Sequence, residues 1–364
     1  MNVIELLIKM VESKSETPSD GELLSFIAEY LDGFEAIRID KDEVKNLFLY
    51  KKFGEGKHLC FAGHVDVVPS GDGWSSDPYK VIEKDGLLYG RGMQDMKSGV
   101  AAFTQAMKNT TTFNGTLSML LTSDEEGPAI KGTLEVLKYL KAKNMLPDSA
   151  IVAEPTCETI FGDAIKVGRR GSINGILTLN GVQGHAAYPE KSINPINLIA
   201  PILPTIAGVN LDNGDEYFSQ SKFVITDIRS GLEVTNVTPG VLKMMFNVRN
   251  STATTLKDVK TFVENRFKEH DFTLEINQSS KSFMTDADSH IVKTITSSIK
   301  DVLNVETKHS TAGGTSDARY IAEFGIDVIE FGVINDTIHA PNERTSKEYV
   351  EGLEKVFSSV IKNY

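Results

Sequence analysis

The sequence has few cysteines and no long apolar run. Cys60 and Cys157 are its two cysteines among 364 residues, too few for a disulfide framework, and we interpret them as buried, reduced thiols. No run approaches the ~20 apolar residues that cross a bilayer. The amphipathic N-terminal segment contains Glu5 and Lys9, which interrupt any signal-peptide core. The sequence therefore predicts a cytoplasmic protein with no membrane partner.

Positive charge is also in short supply. The 38 Lys and Arg residues face 50 Asp and Glu residues, for a net charge of −12. Such a balance argues against a nucleic-acid partner, because binding to phosphates requires a positive surface. The 40% hydrophobic and 24% charged residues are typical of an ordinary globular protein. At roughly 150 residues per domain, the length suggests two domains, with one large domain as the alternative.

Short apolar runs alternate with helical patterns, which predicts an α/β fold with a mixed, mostly parallel sheet flanked by helices. Apolar runs at 58–68, 115–127 and 149–155 each become acidic or bear histidine toward their carboxyl ends. Helical patterns lie between them at 98–109 and 133–143. Since ligands bind outside the carboxyl ends of strands in open α/β sheets, we expect these polar residues to converge on one crevice.

The pattern changes after Gly171 and indicates an inserted α+β domain. We predict a discontinuous catalytic metal-binding domain at 1–172 and 288–364, with an inserted lid and dimerisation domain at 173–287. The expected elements of the insertion are a helix around 195–207, strands at 222–228 and 241–249, and a helix near 255–268. A helix at 287–303, a strand at 326–334 and a helix at 346–362 would complete the catalytic domain.

His64 and Asp66 close the first apolar run. Residues i and i+2 of a strand share a face, so we expect the Asp66 carboxylate to accept a hydrogen bond from the His64 ring nitrogen that faces away from a metal. This bond would select the tautomer of His64. Taken alone, a strand-end histidine is more often a polar edge residue.

Further candidate ligands lie at other strand ends and turns. Asp95, in a glycine-containing turn before a helix, is alternatively a helix cap. The adjacent Glu125 and Glu126 repel each other unless cations or protons neutralise them, although a solvated pair is the alternative. Glu154 ends the third run, and His339 follows a later strand. Together with His64 they match two divalent ions that share a carboxylate.

A family resemblance rests on nine segments in this order: GHVDVVPSGDGW, LYGRGMQDMKSGVAAF, TSDEEGPAIKGT, AEPT, VGRRGS, GVQGHAAYP, NVTP, GGTSDARYI and NDTIHAPNE. From about residue 60 to 343, the chain resembles the succinyl-diaminopimelate desuccinylase family, in the clan of dinuclear zinc exopeptidases and deacylases. The resemblance implies a zinc exopeptidase-like fold, two zinc ions per subunit with cobalt as a substitute, and a homodimer. It also implies hydrolysis of N-succinyl-LL-2,6-diaminopimelate to succinate and LL-2,6-diaminopimelate, toward lysine and peptidoglycan precursors.

The resemblance further implies the role of each metal-site residue. His64 and Glu154 would bind one zinc ion, and Glu126 and His339 the other. Asp95 would bridge the two ions and precede a cis peptide bond.

Two catalytic residues and a substrate-binding set follow from the same resemblance, in addition to Asp66, whose support of His64 is inferred from the strand spacing. Glu125 would be the general base, Asp66 would support His64, and His185 would reach the partner subunit's active site to stabilise the oxyanion. A structural histidine in a glycine-bounded turn is the alternative for His185. Contacts to substrate carboxylates are implied for eight residues: Arg169, Ser172, Tyr188, Asn236, Arg249, Gly314, Thr315 and Asn335.

Other functions are weighed against this one. An acetylornithine-type deacetylase, or a related aminoacylase or peptidase, would use the same chemistry, but VGRRGS and GGTSD favour the desuccinylase. A non-catalytic zinc-dependent binding protein would typically lack the base or a ligand, and here both are present. A dinuclear phosphoesterase would place more histidine and asparagine around its ions.

Overall fold

The computed structural model describes residues 1–364, which divide into two compact units. Unit 1 comprises Met1–Gly168, Thr285–Ser310 and Ser316–Tyr364, and unit 2 comprises Arg169–Met284 and Thr311–Thr315. The segment Thr311–Thr315 groups with unit 2, although the sequence placed it in the catalytic domain. Both cysteines are buried and unpaired.

The helices are α1 (Val3–Glu12), α2 (Leu23–Tyr30), α3 (Lys97–Asn109), α4 (Thr133–Ala142), α5 (Pro195–Ile199), α6 (Leu203–Ile206), α7 (Leu256–Phe267), α8 (His290–Leu303), α9 (Ala318–Glu323) and α10 (Lys347–Asn363). The strands are β1 (Glu35–Arg38), β2 (Asn46–Lys52), β3 (His58–His64), β4 (Ile82–Lys84), β5 (Leu87–Tyr89), β6 (Thr116–Thr122), β7 (Ser149–Val152), β8 (Ala164–Lys166), β9 (Gly168–Arg169), β10 (Ser172–Asn180), β11 (Gly184–His185), β12 (Lys222–Ser230), β13 (Val237–Thr238), β14 (Val241–Arg249), β15 (Phe272–Ser280), β16 (Phe283–Met284), β17 (Lys308–Ser310), β18 (Asp327–Glu330) and β19 (Arg344–Ser346). None of the helices combines the length and the apolar character needed to cross a bilayer.

Unit 1 is built on an eight-stranded sheet in the order β1-β2-β6-β3-β7-β18-β8-β17. Its four central strands β6, β3, β7 and β18 run parallel, whereas β1 and β2 add an antiparallel edge. The predicted α/β fold with a mixed, mostly parallel sheet is confirmed. The carboxyl ends of the central strands consequently meet at one edge of the sheet, with His64 directly opposite Thr122.

Buried aromatic rings anchor the strand that carries His64. The Phe61 ring on β3 lies 5.5 Å from Phe103 on α3 and 5.2 Å from Phe357 on α10. Phe331, just after β18, lies 6.2 Å from Phe357. All four rings are fully buried, and each contributes roughly 1.5–3 kcal/mol of burial free energy. The core therefore holds the sheet edge and its ligands on a rigid base.

Unit 2 has an antiparallel sheet in the order β12-β14-β10-β15. One face of this sheet contributes buried rings, with Phe223 and Phe246 4.4 Å apart. Val259, Val263 and Phe267 on the buried side of α7 belong to the same core. The strands predicted at 222–228 and 241–249 and the helix predicted near 255–268 correspond to β12, β14 and α7, whereas β10 and β15 had no explicit prediction.

The helix predicted around 195–207 is wrong as a single element. The structure has two short helices instead, α5 ending at Ile199 and α6 beginning at Leu203. Pro201 lies in this junction, and Pro204 is the second residue of α6. Pro201 lacks the N–H group that would continue the hydrogen bonds of α5, whereas Pro204 occupies a first turn, where a missing N–H is tolerated. The apolar pattern therefore forms two short helices.

Candidate metal centre

The five predicted ligands come from separate parts of unit 1. His64 is the last residue of β3, Glu126 lies four residues beyond β6, and Glu154 lies two residues beyond β7. Asp95 lies just before α3, and His339 lies nine residues after β18. The parallel sheet edge therefore gathers residues up to 275 positions apart in the chain.

The Asp95 carboxylate lies between the two histidines. Its Oδ1 atom is 3.2 Å from His64 Nε2, and its Oδ2 atom is 3.2 Å from His339 Nε2. Glu154 Oε1 lies 3.7 Å from His64 Nε2, and Glu126 Oε1 lies 2.9 Å from His339 Nε2. The five side chains thus form two sets of three that share Asp95.

The donor set fits divalent metal ions. One ligand atom from each of His64, Asp95 and Glu126 lies within 4.8 Å of the others, and imidazole and carboxylate are ligands that suit such ions. The His64 side chain is 1% exposed, whereas that of His339 is 48% exposed. The site is therefore buried on the His64 side and open to small molecules on the His339 side.

The buried, closely spaced carboxylates of the site would be stabilised by positive charge. Burial, followed by the charge of Asp95, raises the pKa of Glu154 well above its ordinary value. Burial likewise raises the pKa of Glu125, and Asp317, Asp95 and Glu126 add to the increase. Crowded carboxylates of this kind stay ionised only beside cations. The same burial favours a Glu125 that can accept and hold a proton.

The two histidines respond to these carboxylates. Hydrogen bonds with Asp95 and Glu126 raise the pKa of His339 to about 10. Burial alone would lower the pKa of His64, but the Asp95 hydrogen bond and the charge of Glu154 raise it well above the ordinary value. The carboxylates therefore stabilise positive charge beside each imidazole. The same positions would stabilise the charge of a metal ion.

The expected hydrogen bond from His64 to the Asp66 carboxylate is wrong. His64 Nδ1 lies 2.9 Å from the main-chain oxygen of Asp66, while the carboxylate Oδ1 lies 3.7 Å away. Donation to the carbonyl places the ring proton on Nδ1 and leaves Nε2 free to face Asp95. The Asp66 carboxylate instead accepts the N–H groups of Glu126 at 3.1 Å and Glu125 at 3.4 Å. Asp66 thus positions the glutamate pair.

Sequence reasoning missed several residues that surround Asp95. Glu343 accepts hydrogen bonds from the main chain of the Asp95 segment and from Arg91. Gln94 donates to Asp336 and accepts from the N–H of Thr337 at 2.9 Å. These residues lie within two of the segments that carry the family resemblance, LYGRGMQDMKSGVAAF and NDTIHAPNE. Their charge or polarity was the signal available in the sequence, and it indicated no particular role. The peptide bond between Asp95 and Met96 is cis, as the resemblance implies.

Unit 2 brings three of the other predicted residues together. His185 is exposed, and its Nδ1 accepts the N–H of Ala187 at 3.0 Å. In the neutral ring the proton is consequently on Nε2, which makes that atom a hydrogen-bond donor. The Tyr188 ring lies 5.8 Å from the His185 ring, and the main-chain oxygen of Asn236 accepts from Ala186 at 2.9 Å.

Three further residues of unit 2 occupy distinct settings. Arg169 is buried, and its Nη1 donates to the Ala312 oxygen at 2.9 Å. Ser172 is buried and accepts from the Asn247 amide at 3.1 Å. Arg249 is exposed at the end of β14.

The remaining predicted contacts divide between the two units. Gly314 and Thr315 are exposed in unit 2. Asn335 lies in unit 1, where its N–H donates to the Cys157 oxygen at 2.9 Å. Gly313, beside Gly314, has a φ of +110°, and a Cβ atom there would lie 2.4 Å from Arg169 Nη1. The positive φ favours glycine at this position, and an added Cβ atom would in addition displace the end of the Arg169 side chain.

Comparison with known proteins places this geometry in a family. Residues 60–363 match the family model of peptidase family M20/M25/M40. A succinyl-diaminopimelate desuccinylase of Sulfurimonas denitrificans is 67% identical over 361 residues, covering 99% of each chain. Another, from a Nitratiruptor species, is 63% identical over 364 residues and covers 100% of both chains.

Solved structures show the same fold. An aminopeptidase PepT from Bacillus cereus superposes with a TM-score of 0.82 at 20% identity, covering 100% of this chain and 98% of the other. A dinuclear metal binding peptidase of the M20 family from Bacillus subtilis gives a TM-score of 0.70 at 14% identity, covering 99% and 96%.

The fold and the cluster of histidines and carboxylates define a metal-dependent hydrolase. Since the family match spans most of the chain and the relatives match over their full length, the chain belongs to peptidase family M20/M25/M40, among the succinyl-diaminopimelate desuccinylases.

Proposed function

We propose that this chain hydrolyses the succinyl amide of N-succinyl-LL-2,6-diaminopimelate. Water adds to the amide carbonyl carbon, the C–N bond breaks, and the products are succinate and LL-2,6-diaminopimelate, for lysine and peptidoglycan precursors. The names of relatives at 67% and 63% identity support this substrate. The observation that carries the reaction type is the Asp95 carboxylate, which presents one oxygen to each histidine.

We assign the two ligand sets to a pair of zinc ions, for which cobalt would substitute. His64, Asp95 and Glu154 would hold one ion, and Asp95, Glu126 and His339 the other. When bound, such a pair polarises a carbonyl and lowers the pKa of water. The open His339 side of the site leaves room for the reacting amide.

Proton transfer falls to Glu125 in this proposal. Its half-buried carboxylate has a raised pKa, so it can take the proton of the attacking water and later deliver it to the leaving amine. Asp66 orients it through the main chain at 3.4 Å. Glu125 thus acts as base in the first half of the reaction and as acid in the second.

We assign oxyanion stabilisation to His185 and substrate binding to the eight residues that the family resemblance implies. The Nε2–H donor of His185 is the group that an oxyanion requires, and in the proposed homodimer it would serve the partner subunit's site. Arg169 and Arg249 would pair with substrate carboxylates. Tyr188, Asn236, Ser172, Gly314, Thr315 and Asn335 would complete the contacts. Unit 2 would act as the lid and dimerisation domain of a cytoplasmic enzyme.

A competition assay tests the substrate. Purified, zinc-loaded protein receives N-succinyl-LL-2,6-diaminopimelate and N-acetylornithine together, and release of succinate and acetate is followed. We expect succinate release to dominate and to stop after metal removal with a chelator. Preference for the acetyl substrate would overturn the substrate assignment, and full activity after complete metal removal would overturn the proposed chemistry.

A further inference from the structure

A buried ion pair links the two chain segments that carry Asp95 and His339. Arg91 Nη1 lies 2.7 Å from Glu343 Oε2, and the two side chains are 2% and 1% exposed. Because desolvation offsets much of the attraction, buried ion pairs are weak contributors to stability. The hydrogen bonds that these two side chains make therefore matter more than the charge pair itself.

Glu343 determines the main-chain path into Asp95. Its Oε1 atom accepts the N–H groups of Gln94 at 2.8 Å and Asp95 at 3.1 Å, and its Oε2 atom accepts that of Gly92 at 3.0 Å. With Arg91 added, both carboxylate oxygens are occupied by two donors each. A single buried side chain thus holds the backbone of the shared candidate ligand.

Arg91 holds the chain segment that carries His339. Its Nη2 donates to the main-chain oxygens of His339 at 3.3 Å and Ser70 at 3.1 Å, and its Nη1 reaches the Ala340 oxygen at 3.4 Å. His339 has a φ of +58°, a left-handed conformation that is unfavourable for a non-glycine residue. Such a conformation persists only where surrounding contacts hold it, and the guanidinium supplies one of them.

We propose that Glu343 and Arg91 are positioning residues that set the spacing between Asp95 and His339. They would thereby control the affinity of the metal site formed by Asp95, Glu126 and His339. The inference rests on the proposed function, because it takes these residues as ligands. Both side chains contact the main chain of the segments that carry Asp95 and His339. Through these contacts they would maintain the 3.2 Å distance between Asp95 Oδ2 and His339 Nε2.

The test compares zinc affinity in two matched variants. Glu343→Gln replaces one acceptor oxygen with an NH₂ donor that faces other donors. Asp163→Asn makes the same exchange in unit 1, where the carboxylate accepts the N–H groups of Glu158, Thr159 and Ile160 at 2.9, 2.9 and 3.0 Å. Zinc is titrated into metal-free protein against a chromophoric chelator, and thermal unfolding of the metal-free variants is recorded alongside.

We expect Glu343→Gln to weaken binding of one zinc ion by about tenfold to a hundredfold. Asp163→Asn should bind zinc like the wild type, with a melting temperature comparable to that of Glu343→Gln. Unchanged affinity in folded Glu343→Gln would overturn the inference. If that variant does not fold, Arg91→Lys decides, because lysine keeps the charge opposite Glu343 but has a single nitrogen to share with the His339 oxygen. If Arg91→Lys folds and binds zinc with wild-type affinity, the positioning inference is wrong but the proposed function stands. If the wild type binds no zinc, the proposed function is wrong as well.

Discussion

His58 lies at the start of the strand that ends in His64, and its burial predicts a pH-dependent stability. Its Nε2 is 2.7 Å from Ser118 Oγ, and its ring packs edge-on against Phe48 at 6.4 Å. Burial lowers the pKa of His58 to about 4, although the nearby Asp148 opposes the shift. The imidazole is therefore neutral in the folded protein at neutral pH.

The sign of the effect follows from linkage. The unfolded chain, with an ordinary histidine pKa of about 6.5, takes up a proton before the folded chain does. The contribution of His58 to stability is consequently intact above about pH 6.5 and is lost as the pH falls toward 4. Between pH 7 and pH 4.5 this difference amounts to about 2 kcal/mol of unfolding free energy.

Urea unfolding of wild type and His58→Gln at pH 7 and pH 4.5 measures this difference. Glutamine keeps a polar group near Ser118 but does not titrate, so we expect the wild type to lose about 2 kcal/mol more than the variant. His290→Gln, at an exposed histidine, is the matched control and should behave like the wild type. Equal losses in wild type and His58→Gln would refute the reasoning.

Three other substitutions have defined outcomes. Glu125→Gln should retain the wild-type metal content but lower kcat by about 10²–10⁴-fold, as loss of a general base does; near-normal turnover would contradict the role. Gly313→Ala forces a Cβ atom against Arg169 at a φ of +110° and should lower the unfolding free energy by about 1–3 kcal/mol. Gly314→Ala, with open space around it, should be tolerated in the same urea titration, and equal losses would count against the steric argument. Asp212→Asn removes an acceptor for three hydroxyl groups and should cost about 1–3 kcal/mol without changing zinc content, whereas altered zinc content would contradict a purely structural role.

The sequence predicted where the site forms because strand ends have a readable signature. Apolar runs that finish in His64 or Glu154 indicate parallel strands, and parallel strands bring their carboxyl ends to one edge. The structure places these residues beside Asp95 and His339. Their proximity is thus observed, while their roles as ligands stay predictions.

Other features left no such signature. The hydrogen-bond partner of the His64 ring is the main-chain oxygen of Asp66. The i, i+2 spacing predicts which side chains share a strand face, so it gives no information about a contact to the main chain. Glu343 and Arg91 meet across 252 positions of the chain, a distance over which local patterns carry no information. Pro201 was readable as a helix breaker, but the apolar periodicity around it outweighed that signal.

Zinc-edge anomalous diffraction from crystals of the zinc-loaded protein tests the metal pair most directly. We expect two peaks about 3.5–4 Å apart, one beside His64 Nε2 and the other beside His339 Nε2, with one oxygen of Asp95 at each. A single peak, or two peaks that do not share Asp95, would contradict the account.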